Sequence, residues 1–334
     1  MTPKPRATYS VIAKEAGVSE ATVSRVLNGD ERVDAERVAK VLEVVERLGY
    51  KKHRAATALA SGRTNLIAVV IDNDLSVFTD PFWGTVTSGI SRLLMENELQ
   101  TLLMVTSVSS LDSPVAHYLN SHEVDGAIFF QLHKDALVRK LAKTGLPIVI
   151  AGSPHAATDF VFVDTDNFGG GHAATKHLIN RGCKKVAIIA GDIETVAGHQ
   201  RLDGYHQAYR ELGRVPAKAL TAYGDYSYDS GKREMQRLLN EQPDIDGVFA
   251  CNDLMALGAI AAIEERGLSV PENVAVVGFD DSLIAQTSRP GLTSVRQDIV
   301  ALGEAAAELM IAQLRGEPVE PRILPTELII RESA

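Results

Sequence analysis

Three short stretches at the start of the chain place their apolar residues at the spacing of amphipathic helices. The first stretch ends at Gly17, which permits the tight bend that closes a helix. Ser19 can cap a second helix by accepting a free backbone N–H. The third stretch begins at Asp34, another good N-cap, and stops at Gly49. The pattern predicts three small helices around one core. The predicted core positions are Ile12, Ala13, Ala16, Val23, Val26, Leu27, Val38, Val41, Leu42, Val45 and Leu48.

The first two predicted helices are joined by a tight turn that contains glycine, and this arrangement is typical of a helix-turn-helix. The second helix of such a motif can enter the major groove of DNA. The alternative is an ordinary helical hairpin with a polar outer face. In either case, the outer-face residues of the second helix are predicted to be Glu20, Ala21, Ser24, Arg25 and Asn28.

The distribution of charge favours the DNA-binding interpretation. Residues 1–64 hold 12 Lys and Arg against 8 Asp and Glu, a net charge of +4. The whole chain has a formal net charge of −9, which leaves −13 on the remaining residues. A basic head on an acidic body predicts that the head alone binds phosphates.

From Asn65 onward, short apolar or β-branched runs alternate with helical patterns. This alternation predicts an α/β fold in which helices cover parallel sheets. The segment is longer than one core comfortably fills, so we expect two lobes. The predicted strands are Leu66–Ile71, Thr101–Val105, Gly126–Phe130, Pro147–Ala151, Lys185–Ala190, Gly247–Ala250 and Val274–Phe279. The predicted helices are Phe82–Glu98, Asp135–Lys143, Gly169–Arg181, Val196–Leu212, Asp229–Asn240 and Leu254–Arg266.

Composition excludes several classes of protein. A chain of 334 residues that is 45% hydrophobic and 23% charged is typical of a globular protein with more than one domain. Cys183 and Cys251 lie far apart and have neither disulfide-framework nor metal-ligand spacing, which favours the cytoplasm. Residues 1–10 lack the apolar core of a signal peptide, and no apolar run could span a bilayer. We expect a cytoplasmic protein with no metal, other cofactor or membrane partner.

The N-terminal segment resembles the DNA-binding head of the lactose/galactose repressor (LacI/GalR-type) family. The matching motifs are Ile12-Ala13, Ala16-Gly17-Val18-Ser19, Ala21–Asn28, Leu48-Gly49-Tyr50 and Leu59–Thr64. The resemblance implies a head over residues 1–53, a hinge helix over 54–64 and a body over 65–334. It also implies that Leu59 enters the minor groove of DNA as an apolar wedge. The implied DNA contacts are Thr8, Ser19, Glu20, Ala21, Thr22, Ser24, Arg25, Asn28 and Leu59.

The resemblance extends through the body and implies two periplasmic-binding-protein-like lobes with parallel sheets. The first lobe would comprise about 65–163 and 296–323, and the second about 164–292 and 325–334. The chain would cross between them near Val163–Asp164, Leu292–Val295 and Ile323–Pro325. In such folds ligands lie at the carboxyl ends of the strands and face the cleft between the lobes.

Polar and aromatic residues follow several predicted strands. Carboxylates, an amide and a guanidinium beside aromatic faces are the chemistry of sugar binding. The alternative for any single Asp or Asn is a simple helix N-cap. At Gly152-Ser153 the chain departs from relatives that place Asp or Arg against the ligand. The resemblance implies effector contacts at Asp80, Phe82, Trp83, Arg201, Tyr226, Asn252, Asp280 and Gln297.

Two other functions compete with this interpretation. Gly169–Ala174 fits the Gly-x-Gly-x-x-Ala fingerprint of nicotinamide dinucleotide binding, and Asp192 follows at a suitable distance. An NAD-dependent oxidoreductase with an added DNA-binding head is therefore one alternative. No catalytic constellation and no Gly-x-Ser-x-Gly motif accompanies the fingerprint, so we expect no enzyme. The other alternative is a regulator that uses a protein or phosphorylated co-effector.

The sequence thus predicts a bacterial transcriptional repressor that binds a palindromic double-stranded DNA operator. A small sugar in the body cleft would control that binding. The resemblance implies a homodimer, and the chain ends soon after its last strand-like run without the coiled coil of tetrameric relatives. Because the cleft resembles that of sugar-responsive members, we expect the effector to release the operator.

Overall fold

The structure is a computed structural model that describes residues 8–27, 30, 32–50, 63–71, 78–106, 114–121, 123–130, 136–155 and 160–334. The chain divides into two units, Met1–Thr64 and Asn65–Ala334. Each unit has its own hydrophobic core, so the two are described separately.

The N-terminal unit contains the three expected helices, and their ends follow the sequence signals. Gly17 and Gly49 adopt the left-handed conformation after the first and third helix, which glycine does at little steric cost. Thr8, Ser19 and Asp34 each accept a backbone N–H at the start of a helix, as N-caps. The helices are α1 (Tyr9–Ala16), α2 (Glu20–Leu27) and α3 (Ala35–Leu48).

One position of the expected core in this unit is wrong. Leu42 is 49% exposed, whereas Val44 is only 6% exposed. On a helix of 3.6 residues per turn, Val41, Val44 and Val45 share the face that packs on α1 and α2, and position 42 lies about 100° from Val41. The buried residues of the unit are Ile12, Ala13, Ala16, Val23, Val26, Val41 and Val44.

The C-terminal unit alternates strands and helices as the sequence indicates. Its strands are β1 (Leu66–Ile71), β2 (Gln100–Val105), β3 (Gly126–Phe130), β4 (Ile148–Ala151), β5 (Val161–Thr165), β6 (Val186–Ala190), β7 (Thr221–Tyr223), β8 (Gly247–Ala250), β9 (Ala275–Asp280), β10 (Thr293–Gln297), β11 (Arg322–Leu324) and β12 (Thr326–Ile329). Its helices are α4 (Pro81–Glu96), α5 (Pro114–Leu119), α6 (Ala136–Ala142), α7 (Asn167–Asn180), α8 (Val196–Arg210), α9 (Tyr228–Glu241), α10 (Asp253–Glu265), α11 (Leu283–Thr287) and α12 (Ile299–Leu314).

The strands form two six-stranded sheets, one in each lobe. The first lobe has the order β11-β5-β4-β3-β1-β2, and all of its pairings are parallel. The second lobe has the order β12-β10-β9-β8-β6-β7, in which only β12 runs antiparallel to its neighbour. Helices cover both faces of the first sheet, since alternate residues of β1 belong to two different clusters of buried side chains.

The chain passes between the lobes three times. It leaves the first sheet after β5, returns after β10 and crosses again between β11 and β12. The second crossing was expected near Leu292–Val295, with the first lobe resuming at residue 296. It instead follows Gln297, because β10 is hydrogen-bonded to β9 and β12 along its whole length.

Three pairs of helices approach each other through reciprocal glycines. A Cβ added at any of these positions would collide with a backbone carbonyl of the partner helix. Such contact is open only to glycine, because every other residue carries a Cβ. The pairs are Gly89 of α4 with Gly303 of α12, Gly171 of α7 with Gly204 of α8, and Gly231 of α9 with Gly258 of α10.

Candidate functional site

A cavity of about 170 Å³ lies in the C-terminal unit, between the two lobes and at the carboxyl ends of their strands. This is the position at which open α/β sheets bind ligands. All eight side chains expected to contact an effector line it. They are Asp80, Phe82 and Trp83 from the first lobe, Arg201, Tyr226, Asn252 and Asp280 from the second, and Gln297 at a crossing.

Asp80 and Asn252 have a capping role as well as a place in the cavity wall. Asp80 accepts the Phe82 N–H at 2.9 Å, and Asn252 accepts the Met255 N–H at 2.9 Å. The N-cap alternative therefore applies to both residues without removing them from the cavity. The Asn252 amide also donates to the Tyr226 carbonyl at 2.8 Å, and it lies close enough to the Asp80 carboxylate to lower the pKa of that group. This interaction connects the two lobes across the cleft.

Arg201 is the cation of the cavity and is held from three sides. It is only 6% exposed, its Nε donates to Oδ1 of Asn167 at 2.9 Å, and its Nη1 donates to the Cys251 carbonyl at 2.5 Å. The guanidinium carbon lies 3.6 Å from the centre of the Phe279 ring, in cation–π geometry. These two hydrogen bonds, to partners among the described residues, use two of the five N–H donors of the guanidinium. The remaining donors can bond to a ligand oxygen.

Asp280 ends β9 and is fixed by Gln297, the last residue of β10 before the second crossing. Its Oδ1 accepts from Nε2 of Gln297 at 2.5 Å, and Oε1 of Gln297 accepts from Thr165 at 2.9 Å. Asp280 has a φ of 108° and Tyr226 a φ of 68°. A positive φ strains the backbone of a residue other than glycine, and such residues often mark functional sites. Gln297 thus connects a cavity carboxylate to the first crossing strand.

Asp164 also lines the cavity, although it was not among the expected effector contacts. Its Oδ2 accepts from Ser153 at 2.7 Å, and its Oδ1 accepts from Asn167 at 3.0 Å. Ser153 and Asn167 therefore orient a buried carboxylate toward the cavity lining. The apolar run before Asp164 forms β5 and was the signal that could have placed this residue at a strand end.

One wall of the cavity is aromatic. The rings of Phe82 and Trp83 pack edge-to-face with centres 5.1 Å apart, and those of Trp83 and Phe130 with centres 5.9 Å apart. Phe130 ends β3 and was not among the expected contacts. These rings can cover the C–H face of a sugar ring, while the carboxylates, amide and guanidinium of the lining can bond to its hydroxyl groups.

The buried carboxyls share a single positive neighbour. Burial raises the pKa of Asp80 and of Asp164, and in both cases the charge of Arg201 opposes the shift. Burial also raises the pKa of Asp280 well above its usual value, with Arg201 lowering it and the carboxylates of Asp253 and Asp80 raising it further. The cavity therefore has more buried acids than bases.

Asp253 is a buried neighbour of Asp280 outside the cavity lining, and its titration makes the stability of the fold depend on pH. It is 1% exposed, and burial raises its pKa to about 7 against the lowering effect of hydrogen bonds from Ser294 and Ser282. A folded-state pKa above the unfolded value of 3.8 stabilises the fold at low pH, and this contribution is lost as the pH rises through about 7.

We expect Asp253→Asn to remove that contribution, because an amide does not titrate. Between about pH 4 and about pH 8, the melting temperature of the native protein should fall by about 5 °C relative to the variant. Differential scanning fluorimetry of both proteins across this range measures the difference. A difference that stays constant with pH would show that Asp253 does not titrate.

The dinucleotide fingerprint has a structural explanation. The Gly169 N–H donates to the Asp166 carboxylate at 2.7 Å, so the start of α7 is already capped by an acid. Gly170 lies against Phe279 and Val295, and Gly171 against the backbone of Arg201. The glycines therefore permit close packing of α7.

Because the close approach is at Arg201, Gly171→Ala should affect both stability and the site. The added methyl forces the α7 and α8 backbones apart, which we expect to cost about 1–3 kcal/mol of unfolding free energy. Urea unfolding measures it. Gly84→Ala in α4 is the matched control, since its Cβ meets nothing within 4 Å. Equal stability of the two variants would contradict the packing explanation.

The expected DNA-contacting residues lie on the surface of the N-terminal unit. Glu20, Ala21 and Arg25 are exposed on α2, and Thr22 and Ser24 are half-buried. Thr8 and Ser19 are exposed caps. Asn28, Leu59 and most of the expected hinge helix, residues 54–62, lie outside the described residues.

Neither a metal centre nor a membrane-spanning helix is found in the part of the chain that the structure describes. No three His, Cys, Asp or Glu side chains there are grouped so that they could hold a metal ion. No helix in the same ranges is long and apolar enough to cross a bilayer.

Comparison with known proteins gives consistent matches over nearly the whole chain. Residues 11–53 match the model of bacterial regulatory proteins of the lacI family, and residues 175–334 match a periplasmic binding protein-like domain. HTH-type transcriptional regulator CelR of Thermobifida fusca is 38% identical over 334 residues, which cover 98% of each chain.

Two solved structures extend the match to three dimensions. A transcriptional regulator CelR–cellobiose complex shares 37% identity with a TM-score of 0.78, over 98% of this chain and 100% of that chain. The lac repressor dimer bound to operator and the anti-inducer ONPF shares 26% identity with a TM-score of 0.88, over 98% and 99% of the two chains. The chain therefore belongs to the lacI family of bacterial regulatory proteins.

Proposed function

We propose that this protein is a sequence-specific transcriptional repressor whose operator binding is controlled by a small sugar bound between the lobes. The observation that carries the proposal is the cavity, whose lining combines aromatic rings with acids, an amide and a guanidinium. The relative at 38% identity is a transcriptional regulator, and a related structure contains cellobiose. Cellobiose is therefore the effector to test first.

The aromatic and the polar residues of the lining have distinct roles in holding a sugar. Hydroxyl groups donate to the carboxylates of Asp80 and Asp280 and accept from Arg201, while ring C–H faces lie on Trp83 and Phe82. Burial keeps Arg201 and Asp280 away from water. Hydrogen bonds that sugar hydroxyl groups complete with them therefore contribute more to binding than the same bonds would in water.

The head binds DNA through the exposed face of α2. Glu20, Ala21 and Arg25 face the base edges in the major groove. Thr8 and Ser19 lie near the sugar-phosphate backbone of the DNA. Two heads of a homodimer read the two halves of a palindromic operator, since operator symmetry mirrors protein symmetry. Leu59 of each hinge enters the minor groove. The protein acts in the cytoplasm and has no enzymatic activity.

The sugar releases the operator. A ligand can shift an equilibrium only by its differential affinity for two states. A sugar that binds both lobes favours one lobe geometry, and contacts with Asp80 and Asn252, which interact across the cleft, give it a direct means of changing that geometry. Short hinge helices are marginal alone, so a change in their spacing can melt them.

The test combines a binding signal with an operator signal. Trp83 is the only tryptophan of the chain and lines the cavity, so its fluorescence reports ligand entry directly. An operator is obtained by selecting bound sequences from random duplex DNA. Saturating cellobiose should change the emission and weaken operator binding in gel shifts by about 5–150-fold. Sucrose is the control sugar.

Tighter operator binding in the presence of cellobiose would reverse the proposed direction and leave the site assignment in place. Unchanged emission and unchanged operator affinity with every mono- and disaccharide tested would reject the sugar-controlled repressor.

A further inference from the structure

The charges around the cavity are strongly unbalanced. Among the described residues that line it, four are acids, Asp80, Asp164, Asp225 and Asp280, and Arg201 is the only Lys or Arg. Asp225 is exposed at the rim, whereas Asp164 and Asp280 are 4% and 7% exposed. A charged group that enters the cavity therefore faces more carboxyl groups than cations.

These acids cannot easily turn away from a ligand. Asp164 is fixed by donors from Ser153, Asn167 and the Thr165 backbone, and Asp280 is fixed by Gln297. A hydroxyl group can donate to the lone pairs that remain, because a carboxylate has about four acceptor sites. A phosphate or carboxylate has no proton to donate at neutral pH and presents a like charge instead.

Arg201 carries one positive charge, and three nearby acids, Asp80, Asp164 and Asp280, already share it. The guanidinium is fixed by Asn167, Cys251 and the Phe279 ring, and its remaining N–H donors bring no further positive charge to an added anion. Burial raises the pKa of Asp164 and Asp280, and a negative charge placed beside them would raise both values further, so an anion would have to bind together with protons taken up from solution, at an added cost at neutral pH.

We propose that this cavity selects its ligand by charge: it accepts uncharged sugars and rejects phosphorylated and carboxylate-bearing sugars, with Asp164 and Asp280 as the residues that enforce the rejection. The proposal rests on the proposed sugar-binding function. It excludes a phosphorylated co-effector from this cavity, and it gives Asp164 and its partner Ser153 a role in specificity.

The experiment compares three derivatives of one disaccharide: cellobiose, cellobiose 6′-phosphate, which keeps both sugar rings, and cellobionate, whose oxidised residue is an open-chain gluconate. Their affinities for the full-length protein are measured at pH 7.5 by Trp83 emission and by calorimetry. Like-charge repulsion at contact distances of a few ångströms in a partly buried site predicts that both anions bind at least about a hundredfold more weakly than cellobiose.

Charge removal without change of shape separates electrostatic rejection from steric rejection. Asp164→Asn keeps a group that can bond to Ser153 and Asn167, and it should narrow the ratio of cellobiose to cellobionate affinity by about tenfold. Asp280→Asn should narrow it as well. Asp244→Asn is the matched control, because Asp244 pairs with Lys185 outside the cavity lining and should leave the ratio unchanged.

Anions that bind within about threefold of cellobiose would overturn the charge selection while leaving the sugar-binding function standing. A ratio that neither Asp164→Asn nor Asp280→Asn narrows would also overturn it, since the rejection would then be steric. If the emission responds to none of the three ligands and to no other sugar, both the proposed function and the charge selection fail.

Discussion

Arg201→Ala is expected to abolish the response to cellobiose while the head continues to bind operator DNA. The guanidinium donates to Asn167 and to the Cys251 carbonyl, and it is the cation nearest to three buried acids. Removing one partner of a buried charged group typically costs about 3–5 kcal/mol, because the remaining charges lose their compensation. We expect cellobiose affinity to fall by more than about a hundredfold.

The controls separate loss of the site from loss of the fold. Arg210→Ala is the control on the same helix, because Arg210 is exposed and its hydrogen-bond partner among the described residues is the half-buried Gln207. This variant should bind cellobiose normally. Arg201→Lys keeps the charge without the planar fork and should lose affinity by at least about tenfold while remaining folded. Calorimetry and circular dichroism measure both effects. Normal cellobiose affinity in folded Arg201→Lys would remove the guanidinium from the binding machinery.

Local features of this fold could be predicted from the sequence because they depend on near neighbours. The caps at Thr8, Ser19 and Asp34 and the turns at Gly17 and Gly49 occur where residue type indicates them. Among the described elements of the body, seven of the twelve strands and six of the nine helices could be predicted from the hydrophobic period, whereas β5, β7, β10, β11, β12, α5, α11 and α12 were not among the predicted elements. These features involve residues at most a few positions apart, so tertiary contacts rarely override them.

The grouping of the cavity residues could not be predicted in this way. Asp80 and Gln297 are separated by most of the chain, and they line one cavity only because the chain crosses between the lobes three times. The hydrophobic period does not indicate those crossings. They were expected only from the resemblance to the family. Whether the eight side chains contact an effector stays a prediction.

Other features required the structure because they depend on packing. The exposure of Leu42 depends on the rotation of α3 against its neighbours. The six reciprocal glycines are invisible to helix propensity, which treats glycine as unfavourable inside a helix. The Gly169–Gly171 run even fits a nucleotide fingerprint, although its glycines serve contacts with Phe279 and with the backbone of Arg201.

Arg25→Ala is expected to reduce binding to the selected operator by about ten- to a hundredfold, equivalent to about 1–3 kcal/mol. Arg25 is exposed on α2 near the end of the helix, while Val23 and Val26 on the opposite face are buried in the core. A guanidinium in this position can donate two hydrogen bonds to O6 and N7 of guanine. Gel shifts at fixed salt with operator and with random duplex DNA measure the specific and the non-specific affinity.

Comparison of the two DNAs decides the role of Arg25. A base contact contributes only to the operator, so affinity for random DNA should change much less, and the variant should tolerate a changed base at one operator position. A phosphate contact would instead weaken both complexes equally and reduce the salt dependence of binding. Arg37→Ala is the matched control, because Arg37 is exposed in the same unit but lies on α3 and pairs with Asp34. Equal losses on operator and random DNA would assign Arg25 to the phosphate backbone, and the reading of bases would then depend on Glu20 and Ala21.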